Sequence, residues 1–203
     1  MEHEITLEGH WVRLEPLTQA HAQALFDAAS ESDDPELYRW TWVPRSLDAA
    51  REYIDRALAA LYLPFATIRL ADGRVVGSTR YEQYFWDWPP GHEHHGRTAP
   101  DAVEIGWTWL AASALRSPIN TEAKLLMLGH AFEHWRVHAV RLTTDARNTR
   151  SQAAIERLGA HRDGVIRAIR PGADGTVRNS VWYSITAAEW PDVRRRLESF
   201  LAS

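Results

Sequence analysis

Twice in this chain a strand pattern runs directly into a helix start, and no other feature restricts the fold as strongly. Val103 to Leu110 reads as a strand, followed by a helix from Ser117 to Trp135 with Leu125, Leu128, Phe132 and Trp135 as its apolar stripe. Ala139 to Thr144 reads as a strand and Asn148 to Leu158 as the next helix, with Gly159 at the C′ position. Hairpins surround these crossovers. Phe65 to Leu70 and Val75 to Tyr84 flank Ala71-Asp72-Gly73-Arg74, where Asp-Gly tolerates positive φ. Val165 to Ile169 and Val177 to Ile185 flank a second turn, Gly172 to Gly175. Hairpins mixed with crossovers predict a mixed α/β (α+β) sheet rather than a doubly wound one.

The remaining elements are simpler. His10 to Leu14 is expected as a strand that Pro16 ends. Thr18 is placed to cap a helix through Ala20, Ala24, Leu25, Phe26 and Ala28. Ser46 begins a helix with Ala50, Tyr53, Ile54, Ala57, Leu58 and Leu61 on one face. Glu189 to Leu201 forms a terminal helix. There is no internal repeat or linker, so residues 1–203 read as one domain.

Composition removes whole classes of function. Against 27 acidic residues stand 23 basic ones, a net charge of −4 and a poor match to nucleic acid. Cysteine is absent, and with it disulfides, thiolate nucleophiles and Cys-based zinc sites. The start Met1-Glu2-His3-Glu4 is acidic and lacks a signal peptide's apolar stretch, and no apolar run nears the roughly 18 residues of a spanning helix. A cytoplasmic protein without a membrane partner is expected. The 10 Trp, against 6 Tyr and 5 Phe, predict a generous core or an aromatic-lined ligand site.

Each strand–helix junction offers free backbone N–H groups and the positive end of a helix dipole, which suits an anion. At the first, Ser117 to Glu122, an ordinary helix start explains the residues as well: Ser117 at the N-cap and Pro118 at N1. At the second, Asn148 and Ser151 are three apart and share a helix face, so both can address one ligand. Capping by Asn148 with Ser151 at N3 is the alternative.

Together the junctions resemble the GNAT acetyltransferases, in particular the branch of the ribosomal-protein acetyltransferases RimJ and RimL. The resemblance rests on Asn148-Thr-Arg-Ser151-Gln-Ala-Ala-Ile-Glu-Arg-Leu-Gly159, similar to that branch's N-x-x-S-x-x-x-x-x-x-L-G segment. Glu104-Ile-Gly-Trp107, Asn120-Thr-Glu-Ala-Lys124, Arg13-Leu-Glu-Pro-Leu17 and Gly73-Arg-Val-Val-Gly77 match in the right order. It implies a mixed, mostly antiparallel sheet whose fourth and fifth strands splay apart, helices on both faces, and acetyl-CoA in the splay delivering its acetyl group to an amine. Trp109, Leu110, Ala111, Arg116, Ser117, Ile119, Asn120, Thr121 and Asn148 would then hold the coenzyme. One departure stands out: Arg116 and Pro118 occupy glycine positions of the family's pyrophosphate loop. Proline removes one N–H donor, which Arg116 can partly replace by charge.

The resemblance also assigns the chemistry. Ser151 would donate a proton to the departing thiolate, and a backbone N–H near Trp109 to Ala111 would polarise the carbonyl. Glu104 is the leading base candidate, with Glu82 and Asp87 behind it. Trp86, Asp87 and Trp88, in the long loop Phe85 to Pro100, and Trp40 and Trp42 are expected to wall the acceptor site. That favours a small-molecule or aminoacyl amine, aminoacyl nucleotides included. A protein N-terminal acetyltransferase and a CoA-binding protein without transfer activity are the alternatives, and a homodimer is compatible with either. Metal is not expected. His130-Ala-Phe-Glu133-His134 matches a zinc hydrolase pattern and His92, His94 and His95 are clustered, but helix-dipole and loop roles explain them.

Overall fold

The computed structural model describes residues 5–59 and 62–202. Leu61 and the acidic start Met1 to Glu4 lie outside them. One eight-stranded sheet spans the molecule in the order β1-β2-β3-β4-β5-β6-β8-β7. The strands are β1 Leu7–Glu8, β2 Val12–Pro16, β3 Tyr62–Arg69, β4 Arg74–Tyr84, β5 Ala102–Leu110, β6 Ala139–Asp145, β7 His161–Pro171 and β8 Val177–Thr186. Every neighbouring pair is antiparallel except β5 and β6. The two-residue β1 makes the expected fourth strand the fifth.

The helices are α1 Ala22–Ala29, α2 Leu47–Leu58, α3 Pro118–Gly129, α4 Thr149–Leu158 and α5 Trp190–Leu201. They cover both faces, as the alternation of β4 shows. Ser78 accepts a hydrogen bond from Tyr53 of α2, whereas the Tyr81 hydroxyl donates to the Met127 carbonyl of α3 on the other face. α5 packs on α3 and α4, and α1 on α2 and β4. Ser46 caps α2 by accepting from Ala49 N, and α4 ends at Gly159 with φ 101°.

Three expectations shift. The strand expected from His10 is β2 and begins at Val12, because the Glu122 carboxylate takes the N–H groups of His10, Trp11 and Val12 at 2.7–2.9 Å. That three-way bond ties α3 to β2. The helix expected to reach Trp135 is α-helical only to Gly129 and widens into a π-turn over His130–His134. The helix expected from Thr18 opens with a 3₁₀ turn, Gln19–His21.

Candidate active site

β5 and β6 pair only from Ala102↔Ala139 to Glu104↔Arg141, then part. A bulge helps to part them. Ser78 of β4 faces Trp109 while Arg80 faces Gly106, so β5 carries an extra residue there, and Trp107 takes φ 51°. Such a bulge bends the strand and sharpens its twist. Gly77 lets β4 pass this stretch, since a Cβ there would lie 2.1 Å from the Trp109 carbonyl oxygen. The wedge between the strands is a cavity of about 680 Å³.

Glu104 stands at the apex, the last β5 residue paired with β6. Its carboxylate is buried and accepts from Thr143 Oγ1 at 2.7 Å, with the Tyr84 hydroxyl at 3.5 Å. Burial raises its pKa. The Thr143 hydrogen bond opposes that rise, and Glu82, directly across on β4, adds to it. Tyr84, pushed up to about 12 chiefly by burial, keeps its proton. A carboxylate with raised pKa at the end of a cavity has the character of a general base.

The N-termini of α3 and α4 form the mouth. Ser117 caps α3, and Asn148 caps α4 by accepting from Ser151 N at 3.0 Å. Asn148, Ser151, Asn120, Ser117 and Arg116 all line the cavity. Among the described residues the Ser151 hydroxyl has no hydrogen-bond partner, so it does not cap the helix. Arg116 adopts φ 55°, so the loop has there the left-handed backbone that favours glycine.

Trp109 and Leu110 line the cavity, but Ala111, Ile119 and Thr121 do not. The Ala111 N–H is spent on the Val76 carbonyl at 2.7 Å and does not serve as the polarising donor. Hydrogen-bonding direction alternates along an antiparallel edge, so the N–H and carbonyl of Leu110 point the other way, into the splay. The Tyr38 hydroxyl donates to that carbonyl at 2.9 Å. Ile119 is core, and Thr121 Oγ1 accepts from Arg157.

Trp40 and Trp42 line the cavity, Trp42 stacked on Tyr53 with ring centroids 5.6 Å apart. Trp86, Asp87 and Trp88 do not. Their loop joins the end of β4 to the start of β5, whereas the splay opens at the end of β5. Trp86 stacks on His138, and the Trp86 N–H and Trp88 indole both donate to Asp101 at 2.8 Å. Asp87 is exposed.

Of the histidine patterns, His130 and His134 lie with ring centroids 4.8 Å apart on the π-turn, but Glu133 turns away to the Trp190 indole and Arg194. His94 joins Asp101 and His138 with ligand atoms within 4.8 Å of one another. The Arg97 guanidinium already provides the cation there, at 3.0 Å from His94 Nδ1 and 3.5 Å from Asp101 Oδ1.

Residues 12–161 match the family described as an acetyltransferase (GNAT) domain. The chain belongs to the GNAT acetyltransferases. A GCN5-related N-acetyltransferase from Brucella melitensis is 26% identical with a TM-score of 0.82, covering 97% of this chain and 85% of its own. A protein of T. thermophilus assigned to the acetyltransferases is 36% identical with a TM-score of 0.78, covering 97% and 96%. Mycobacterium smegmatis RimJ, solved with CoA-disulfide, shares the fold at 22% identity and a TM-score of 0.73, covering 97% and 93%. Among curated proteins no match is found. The GNAT family uses acetyl-CoA. Among the described residues no helix is long and apolar enough to cross a membrane.

Several lining residues of this GNAT cavity escape sequence reasoning. Lys124 of α3 is buried, and its Nζ donates to Thr108 Oγ1 at 2.8 Å and lies 3.4 Å from Thr79 Oγ1. Burial brings its pKa down to about 7. Arg80 is buried between the rings of Tyr62 and Trp107. Arg170 and Arg178 come from the last hairpin. Strand alternation flags Arg80 weakly; nothing short-range flags the others.

Proposed function

We propose that the chain is an acetyl-CoA-dependent N-acetyltransferase, moving an acetyl group by direct attack to the primary amine of a small-molecule or aminoacyl acceptor. One observation carries this reading: a buried, proton-accepting Glu104 at the apex of a cavity whose mouth is formed by two helix N-termini. The acceptor size follows from the cavity, which is closed at its apex and partly walled by Trp40, Trp42 and Trp107.

The residues present fit the coenzyme despite Pro118. α3 keeps its capped N-terminus, and Arg116 adds a guanidinium beside it. These groups would hold the pyrophosphate, and Asn148 the pantetheine arm. Acetyl-CoA supplies an activated acetyl group. Glu104 takes a proton from the ammonium form of the acceptor, because an ordinary amine is mostly charged at neutral pH. The Leu110 N–H, aimed into the splay, polarises the thioester carbonyl. The neutral amine forms the C–N bond as the C–S bond breaks, and Ser151 relays to the leaving sulfur the second proton that the nitrogen loses.

Calorimetry with acetyl-CoA, followed by thiol release across an amine panel, tests the reading. Binding together with release that Glu104→Gln abolishes supports it. Absence of binding at millimolar acetyl-CoA overturns it, and binding without release to any amine leaves a CoA-binding protein.

A further inference from the structure

The cavity's charge is lopsided. Arg56, Arg80, Arg116, Lys124, Arg150, Arg170 and Arg178 line it against Glu104, the only carboxylate in the lining among the described residues, and Arg80, Arg170 and Arg178 are the ones without an assigned role. Arg170 and Arg178 are cross-strand partners in the β7–β8 hairpin. Like charges directly opposite each other destabilise a sheet. Arg178 spends its Nε on Ser180 Oγ at 2.8 Å, and its terminal nitrogens make no hydrogen bond among the described residues. The Arg170 side chain has neither a hydrogen bond nor an ion pair among the described residues, although both arginines act on Glu104 by charge. Arg80 is 5% exposed. Its guanidinium lies 3.7 Å from the Tyr62 ring centroid and 4.2 Å from that of Trp107, with one ion pair, to Glu82 at 3.0 Å. Its Nε is buried and has no partner among the described residues.

Arg80 thus has Glu82 outside the cavity lining, but Arg170 and Arg178 face a space that offers them one carboxylate, Glu104, which already accepts from Thr143. The coenzyme's phosphates do not account for them, because the α3 N-terminus and Arg116 follow β5, whereas Arg170 and Arg178 belong to the β7–β8 hairpin on the far side of β6 and act on Glu104 by charge. A guanidinium fork is suited to the paired oxygens of a carboxylate or phosphate. We propose that the side of the cavity lined by these arginines is an anion subsite, and that the acceptor is an amine carrying a carboxylate or phosphate group: an amino acid or an aminoalkyl phosphate. The assignment rests on the transferase reading and deepens it. The same positive field disfavours the ammonium form of the acceptor, which favours the neutral nucleophile, and it excludes polyamines and basic peptide tails.

The test uses the full-length protein and thiol release from acetyl-CoA. Acceptors are amino acids, their amides, 2-aminoethyl phosphate and spermidine. The expected result is a kcat/KM at least about tenfold higher for the anionic amines than for amides or spermidine. Arg170→Gln and Arg178→Gln should each reduce that ratio severalfold while the acetyl-CoA Kd stays within about twofold. Arg170 lies on an exposed edge strand, where its loss is tolerated by folding. Preference for amino acids over 2-aminoethyl phosphate identifies a carboxylate, and the reverse a phosphate. Amides or spermidine used as well as the anionic amines, or a preference surviving in both variants, overturns the proposal. If acetyl-CoA binds but no amine turns over, the transferase reading falls. Calorimetry of the same amines on the acetyl-CoA complex then decides the subsite: tighter binding of the anionic members supports it, and equal or absent binding overturns it.

Discussion

Replacing Lys124 by methionine should make this protein more stable, by an amount that shrinks as pH rises. The Lys124 amine is buried with two threonine hydroxyls as partners, and among the described residues the cavity lining holds no carboxylate except Glu104. Burial moves its pKa from the usual 10.5 to about 7. At ~1.4 kcal/mol per pH unit this costs about 5 kcal/mol once the native amine is fully charged, about 4 kcal/mol near pH 7.5 and about 1 kcal/mol near pH 10. The direction follows from proton counting. Between about pH 7 and pH 10.5 the unfolded lysine binds more protons than the native one, so its contribution to stability grows as pH rises and is lost as pH falls toward 7. Methionine has similar length and no charge. Its substitution forfeits hydrogen bonding of about 1–2 kcal/mol, and it orphans neither threonine, since Thr79 and Thr108 share a hydrogen bond of 2.8 Å. Lys124→Met should therefore gain roughly 2–3 kcal/mol near pH 7.5 and almost nothing near pH 10. Urea melts of both proteins at the two pH values measure it, and alkaline effects common to both cancel. A gap equal at both pH values would refute the reasoning.

Glu104→Gln should lower kcat/KM by about 10²–10⁴-fold. Because burial and Glu82 raise the Glu104 pKa, the acid limb of the wild-type profile should lie above the ordinary 4.5, and Glu82→Gln should move it down. A limb unmoved by Glu82→Gln would remove Glu104 as the titrating base. Ser151→Ala should cut kcat by about 10²-fold or less and leave Tm unchanged, because Asn148 makes the cap and alanine keeps the N–H it accepts. Unchanged kcat, with chemistry shown to limit the rate, would exclude Ser151 from proton transfer. At Arg116, φ 55° penalises any residue with a Cβ, so Arg116→Gly should be more stable than Arg116→Ala by about 1 kcal/mol in matched denaturant melts. The reverse order would mean that the loop relaxes out of the left-handed region.

Short-range physics wrote much of this molecule legibly. Helix caps, C′ glycine and hairpin turns depend on hydrogen bonds and φ preferences a few residues apart. Ser46, Ser117, Asn148 and Gly159 therefore act where their residue types predict. The crossover strands could likewise be read as a mixed sheet, and Glu104 could be named from its strand motif. Composition says that the rings of Trp86 and Trp88 will stack, but not which end of the sheet they stack on. His10 and Trp11 left their expected strand because Glu122, more than a hundred residues away, takes their N–H groups. The bulge at Trp107 decides how far β5 departs from β6, and hairpin register alone sets Arg170 opposite Arg178. Lys124 looks like any helix lysine until Thr79 and Thr108 close over it. Sequence determined the elements and their ends, where local energies of about 1 kcal/mol suffice. Tertiary structure decided which charges share the cavity, because a charge acquires its energy and its chemistry only from the distant groups that exclude water around it.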